Sequence, residues 1–246
     1  MKVAVFSDIH GNIEALEQVV EAFPEVDALW CLGDIVGYGA GPVECIALLS
    51  SLPLPLTIAA GNHDLGAAGL LSLETFNPEG RAAILWTRPL LSRTDLAWLK
   101  RDVRLETAGD MVTMVHASPR DPAWEYITSE EIAEACFGAF DTPICFFGHT
   151  HRPMIYAKKN EEPCRRFLPA PGVGIALREL GDRWLINPGS IGQPRDNDPR
   201  AAFIIFDLAQ MSVIWQRVEY PFELAAKKIR EAGLPIVLAD RLALGI

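Results

Sequence analysis

Lys2-Val3-Ala4-Val5-Phe6-Ser7-Asp8-Ile9-His10-Gly11-Asn12 decides the fold. Residues 3–6 are all apolar, with no polar residue at alternate positions, so this run is expected as a strand buried on both faces inside a parallel sheet. A carboxylate and an imidazole follow at once, two residues apart. Alternation along extended chain points Asp8 and His10 the same way. Gly11 permits a tight turn beside them. Asn12 can cap a helix over about residues 12–23, with Ile13, Leu16, Val19 and Val20 as its apolar stripe.

The same order recurs on either side of that helix. A strand at 28–32 leads into Gly33-Asp34, a helix at 42–49 starts on Pro42, and a strand at 56–59 leads into Gly61-Asn62-His63-Asp64. This βαβαβ order predicts a parallel sheet with right-handed crossovers. Residues 65–100 are expected as helical pieces broken at Pro78, Pro89 and Ser92, with Trp86, Leu90 and Leu91 in the core. The second half turns to strands, at 103–106, 111–115, 143–147, 154–156, 202–206 and 213–218, with a helix at 129–138. Segments 175–180 and 184–186 flank Gly181-Asp182 and are expected to pair as a hairpin. A closing helix at 222–232 is stopped by Gly233 and Pro235. The strand at 111–115 ends in His116, and the strand at 143–147 ends in Gly148-His149-Thr150-His151.

All five histidines of the chain therefore stand at strand ends, beside Asp, Asn and Gly. Each alone could be an ordinary turn or cap residue; their concentration points to one metal centre. In open parallel sheets, ligands bind outside the carboxyl ends of the strands. Carboxylate, neutral imidazole and an Asn carbonyl form a mixed N/O set that suits Mn, Fe, Zn, Ni or Co better than an all-oxygen calcium site. Six or seven such ligands are too many for one tetrahedral zinc. They suit two divalent transition-metal ions, manganese foremost, roughly 3.5–4 Å apart with one carboxylate bridging.

The bulk numbers narrow the partners. Across 246 residues, half are hydrophobic and 22% are charged, as in a single globular domain spanning 1–246. The formal net charge of −10 disfavours binding to long nucleic acid. The five cysteines show no C-x-x-C spacing, which reads as reduced core thiols. Residues 3–6 are too short for a signal peptide, and Pro53 and Pro55 interrupt the uncharged stretch 45–62, so a cytoplasmic protein with no membrane partner is expected. Monomer and homo-oligomer both stay open.

The ordered set Asp8-x-His10, Gly33-Asp34, Gly61-Asn62-His63-Asp64, His116 and Gly148-His149-x-His151 resembles the calcineurin-like metallophosphoesterases. The opening Ser7-Asp8-Ile9-His10-Gly11-Asn12 and the late Asn187-Pro188-Gly189-Ser190-Ile191-Gly192-Gln193-Pro194 are similar to their small prokaryotic phosphodiesterase branch. The resemblance covers roughly residues 1–220. It implies an α/β fold, a two-sheet β-sandwich flanked by helices, with the metal site at the strand C-terminal ends. It implies that Asp8, His10 and His151 hold one metal, that Asn62, His116 and His149 hold the second, and that Asp34 bridges them. A hydroxide between the metals then attacks phosphorus in line, and His63 protonates the leaving group. On this reading His63, Asp34 and Asn62 are the catalytic residues.

The chain departs from the related Ser/Thr protein phosphatases, whose second motif runs G-D-x-V-D-R-G. Gly37 and Tyr38 replace that Asp and Arg, so a small phosphodiester or nucleotide is the expected substrate rather than a phosphoprotein. Arg195 and Tyr38 are the candidate substrate contacts. A surface salt bridge with Asp196 or Asp198 is the stronger expectation for Arg195, and the core is the stronger expectation for Tyr38, Trp124 and Tyr126. Lys158, Lys159, Arg165 and Arg166 are expected as solvated hairpin charges. Two other readings stand beside this one. A nucleotide hydrolase of the diadenosine-tetraphosphate type shares the late motif. A non-catalytic binding scaffold on the same fold, as with the related retromer subunit, is expected to lack the acid at position 63.

Overall fold

The computed structural model describes residues 1–107 and 111–246. In chain order its strands are β1 (Lys2–Phe6), β2 (Ala28–Cys31), β3 (Leu56–Ile58), β4 (Arg104–Thr107), β5 (Val112–Val115), β6 (Ile144–Phe146), β7 (Met154–Lys158), β8 (Arg165–Phe167), β9 (Gly174–Ala176), β10 (Arg183–Asn187), β11 (Ala201–Asp207) and β12 (Ser212–Val218). They form two six-stranded mixed sheets, ordered β3-β2-β1-β11-β12-β9 and β4-β5-β6-β10-β7-β8. Each sheet holds a parallel triplet, β1 with β2 and β3 in the first, β5 with β6 and β10 in the second. The remaining pairings are antiparallel.

Strand β1 shows how the layers are made. Val3 and Val5 face the second sheet and pack in a core with Trp30, Met114, Phe146, Ile186 and Phe206. Ala4 and Phe6 point the other way, against helices Ile13–Ala22, Pro42–Ser51 and Phe222–Glu231. The second sheet does the same: Cys145 and Phe147 join Ala133 and Cys136 of helix Glu130–Cys136 on its outer face. The result is helices, sheet, sheet, helix, in which apolar side chains leave both faces of each central strand. Burying a side chain such as Phe6 or Phe146 contributes about 1.5–3 kcal/mol, so the parallel triplets are rigid platforms for the loops at their ends.

The helical breaks follow local chemistry. The Asn12 side chain accepts from the Ala15 amide at 3.2 Å, and Pro78 takes the first turn behind an Asn77 cap. Ser92 and Asp95 form a reciprocal capping box. Trp86 and Leu91 pack against the core, but Leu90 does not: it sits in a 3-10 turn at 47% exposure. The expected hairpin at Gly181-Asp182 is also absent. Residues 177–180, Leu-Arg-Glu-Leu, close one helical turn instead, because Leu177 and Leu180 recur at a spacing of three and both pack against the inter-sheet core. Segment β9 joins β12 in the first sheet, while β10 lies between β6 and β7 in the second.

Candidate metal centre

Five parallel strand ends converge on one edge of the sandwich. Asp8 and His10 follow β1, Asp34 follows β2, His116 follows β5, and His149 and His151 follow β6. Asn62 and His63 open a short helix, Asn62–Ala67, just after β3. These eight side chains are at most 4% exposed.

The loops carry backbone strain. Among the described residues nine non-glycine positions have positive φ, and six of them are Asp8, His10, Asp34, Tyr38, His149 and His151. Such conformations cost on the order of 1–3 kcal/mol each and cluster where function holds them. They also correct the expectation that extended chain aligns Asp8 with His10. Their φ values of 55° and 50° show a tight, left-handed bend, so the two groups meet by curvature rather than by strand alternation.

The hydrogen bonds of the imidazoles fix where their lone pairs point. His10 Nδ1 lies 3.3 Å from the Val36 carbonyl, and His151 Nδ1 lies 2.6 Å from the Gln193 carbonyl. A carbonyl only accepts, so each Nδ1 carries the hydrogen and each Nε2 presents a lone pair. Those two Nε2 atoms face each other at 3.1 Å. Asp8 Oδ1 stands 3.4 Å from His151 Nε2. His116 donates from Nδ1 to the Leu32 carbonyl at 2.9 Å, which aims its Nε2 at Asp34 Oδ2, 3.2 Å away, and Asn62 Oδ1, 3.1 Å away. His149 Nδ1 is 3.1 Å from the same His116 atom, and its Nε2 is buried with no hydrogen-bond partner among the described residues. Opposed lone pairs and carboxylates in a dry site repel one another unless a cation lies between them. The donor set thus fits metal ions. The candidate ligand atoms fall into three groups with internal separations within 4.8 Å: Asp8, His10 and His151; His10, Asp34 and His63; Asp34, His116 and His149.

Four of these groups, His10, His149, His151 and Asp34, already hold the protonation state of a metal ligand, whereas His116 and Asp8 do not. Burial pushes His10, His149 and His151 well below the usual histidine range, so they are neutral. Burial opposes ionisation of Asp34, but His116 and His63 outweigh it and hold the carboxyl well below its usual range. Burial also works against a charged His116, yet Asp34 lifts it to about 9. Asp8 rises to about 7, through burial and the neighbouring Asp34. A proton on His116 thus supplies, among the protein's own groups, the positive charge that this cluster demands. Neutral imidazole and ionised carboxylate are the forms that ligate metals.

Residues given no role in the sequence hold the loops in place. Asp64, buried beside His63, accepts from the Ile35, Val36 and Gly61 amides at 2.8, 3.1 and 3.1 Å, tying the Asp34 loop to the His63 helix. Asn187 donates to the Gly148 carbonyl at 2.7 Å, and Ser190 donates to the Asp8 carbonyl at 2.8 Å. With the Gln193 carbonyl on His151, the late Asn-Pro-Gly-Ser motif is the brace of the centre. An Asp three residues into a helix start is the one local signal that pointed to Asp64.

A cavity of about 210 Å³ opens over the cluster, bordered by Asp34, His63, Tyr38, Phe76, Trp124 and Tyr126. Tyr126 stacks on His149 with ring centroids 4.0 Å apart. Trp124 and Tyr126, expected in the core, line the pocket instead. Arg195 reaches it too. The Asp196 and Asp198 pairings expected of it go to Arg217 and Arg200. Arg195 instead donates to Gln193 Oε1 at 2.8 Å, with its guanidinium carbon 5.9 Å from the centre of the Tyr38 ring.

A family model described as the calcineurin-like phosphoesterase superfamily domain matches residues 1–211. A metallophosphoesterase from Sphaerobacter thermophilus superposes with a TM-score of 0.88 at 42% identity, over 100% of this chain and 99% of that one. An uncharacterised protein of Methanocaldococcus jannaschii is 37% identical over 249 aligned positions, 99% of this chain and 98% of its own. A symmetrical bis(5'-nucleosyl)-tetraphosphatase of Salmonella arizonae is 32% identical over 142 residues, 54% of this chain; the chain spans 48% of that protein's length. With a two-sheet fold, a donor cluster at the strand ends and these relatives, the chain belongs to the calcineurin-like phosphoesterase superfamily and is a phosphoric ester hydrolase.

Proposed function

We propose that the chain is a dinuclear metal-dependent phosphoesterase of small phosphodiesters or nucleotides. The observation that carries this reading is the place of Asp34, whose Oδ2 lies 3.6 Å from His10 Nε2 and 3.2 Å from His116 Nε2. One carboxylate oxygen thereby serves two donor sets: Asp8, His10 and His151 on one side, Asn62, His116 and His149 on the other. When bound, two divalent ions, manganese foremost with iron, zinc, nickel or cobalt as substitutes, neutralise phosphate oxygens and lower the pKa of the attacking water.

His63 is the proton donor in this proposal. Burial pushes it down to about 4, with Asp34 opposing. A phosphate anion entering beside it favours the protonated ring. Tyr38, Phe76, Trp124 and Tyr126 offer flat apolar surfaces for an aromatic leaving group or base, and Arg195 offers a guanidinium to phosphate. Five free, buried cysteines fit a reducing, cytoplasmic setting. The alignment with the tetraphosphatase favours, as a second reading, a nucleotide hydrolase that cleaves within a polyphosphate chain.

A panel of phosphodiesters, dinucleoside polyphosphates and phosphoserine peptides, run with Mn, Ni, Co, Mg and Zn in turn, tests the proposal. Diester or dinucleotide turnover that EDTA abolishes and one of these metals restores is expected. Phosphoserine-peptide turnover without diester turnover would reverse the substrate assignment.

A further inference from the structure

On the far side of the loop that carries His149 and His151 lies a second cavity, of about 510 Å³. Thr150 and Arg152, from that same loop, line it, and Arg195 borders both it and the pocket over the donor cluster. Its other charged walls are Arg166, Arg217, Asp196 and Asp198. The two aspartates are already engaged: Asp196 pairs with Arg217, and Asp198 with Arg200 at 2.7 Å and Arg217 at 3.8 Å. Arg152 donates from Nε to the Arg195 carbonyl at 2.7 Å, and among the described residues the rest of its guanidinium meets no acceptor. Among the described residues no carboxylate pairs with the side chains of Arg152, Arg166 or Arg195. In a chain of formal charge −10, three such guanidinium groups around one cavity are a local reversal of sign.

We propose that this cavity is a second anion-binding site, which holds the distal phosphate of a substrate whose reacting phosphorus lies at the donor cluster. The implied substrate class is a polyphosphate-bridged ester rather than an isolated phosphodiester. Guanidinium is planar and presents paired N–H donors that match phosphate oxygens. Three of them around one volume offer more donors than a single carboxylate accepts, which selects a phosphate or a chain of phosphates. Arg195, shared by both cavities, spans from the reacting end to the distal end. The assignment of the reacting end rests on the proposed phosphoesterase reading; the anion site itself does not.

The test is titration calorimetry of the whole chain with inorganic tripolyphosphate at fixed ionic strength, with sulfate as the control and with a repeat after EDTA treatment. Saturable binding is expected in both conditions, weakened about tenfold in Arg152→Ala and in Arg166→Ala, the loss of one charge-assisted contact. No saturable binding, or unchanged affinity in both variants at unchanged melting temperature, overturns the site. In a second arm the same variants, loaded with the most active metal, should raise KM for a dinucleoside polyphosphate about tenfold. They should leave bis(4-nitrophenyl) phosphate hydrolysis unchanged. Equal loss on both substrates overturns the proposal. Failure of the wild type to hydrolyse either substrate counts against the phosphoesterase reading, while the calorimetry still decides the anion site.

Discussion

A β-carbon at Gly37 would lie 2.3 Å from Nδ1 of His63. The loop after β2 is therefore pressed flat against the imidazole that opens the helix after β3, and its φ of +90° keeps any L side chain out. No carboxylate can stand at this position, and His63 Nδ1 is buried with no hydrogen-bond partner among the described residues. The ring is held by packing instead. Tyr38 lies 4.4 Å away and His10 4.9 Å, with Phe76 edge-on at 5.3 Å, centroid to centroid.

Gly37→Ala should therefore displace the His63 ring without touching a candidate ligand. A misplacement of about 1 Å costs on the order of 10²-fold in rate. Metal content should stay at the wild-type value. Wild-type kcat in this variant, with the fold intact, would remove His63 from the mechanism.

Asp34→Ala should lower metal content more than the loss of any other single donor, because its carboxylate faces both His10 and His116. Elemental analysis after reconstitution should approach two ions per wild-type chain, the number a bridged pair requires. Saturation at one ion per chain, with the fold intact, counts against the dinuclear assignment.

Chelation should destabilise the protein. The opposed Nε2 atoms of His10 and His151, 3.1 Å apart, and the buried carboxylates beside them lose their counter-charge together. At a hundredfold excess over Kd, one bound ion contributes about 2.7 kcal/mol. In a chain of this size each kcal/mol moves Tm by about 2–4 °C. Adding EDTA should thus lower Tm by at least about 5–10 °C, and excess Mn should restore it. An unchanged Tm would mean that the donors are held by something other than ions.

The fold was legible where burial dictates composition. Residues 3–6, 28–32 and 144–147 read as strands because both of their faces are covered, and the ligand-type residues at their ends stood out by type. What required long-range contacts did not show. The Leu177/Leu180 spacing was outweighed by a Gly-Asp pair that imitates a hairpin turn. Asn62-His63-Asp64 carries no helical periodicity of its own, because its helix is only six residues long, Asn62–Ala67. The bracing of the centre by Asn187 and Ser190 runs through hydrogen bonds to Gly148 and Asp8, 39 and 182 positions away in sequence. Arg166 has the local signature of a solvated charge, since nothing near it in sequence places it beside Arg152 and Arg195 around one cavity.

His63→Ala should lower kcat while leaving the metal content intact, and the deficit should depend on the leaving group. An alkoxide leaves poorly without a proton, and a positioned acid supplies about 10²–10⁴-fold. A nitrophenolate leaves well unprotonated, so the same variant should lose much less on an aryl ester. The geometry gives the comparison its force. His63 donates its backbone amide to Asp34 Oδ1 at 2.8 Å, while its ring turns towards the pocket that Tyr38, Phe76 and Trp124 border. Truncating the ring therefore leaves the backbone support of Asp34 in place. Metal analysis and the two kcat ratios are measured on one preparation. Loss of one metal would make His63 a ligand, as its proximity to His10 and Asp34 permits. Equal loss on both substrates with the metals retained would make it a charge-stabilising group and not the proton donor.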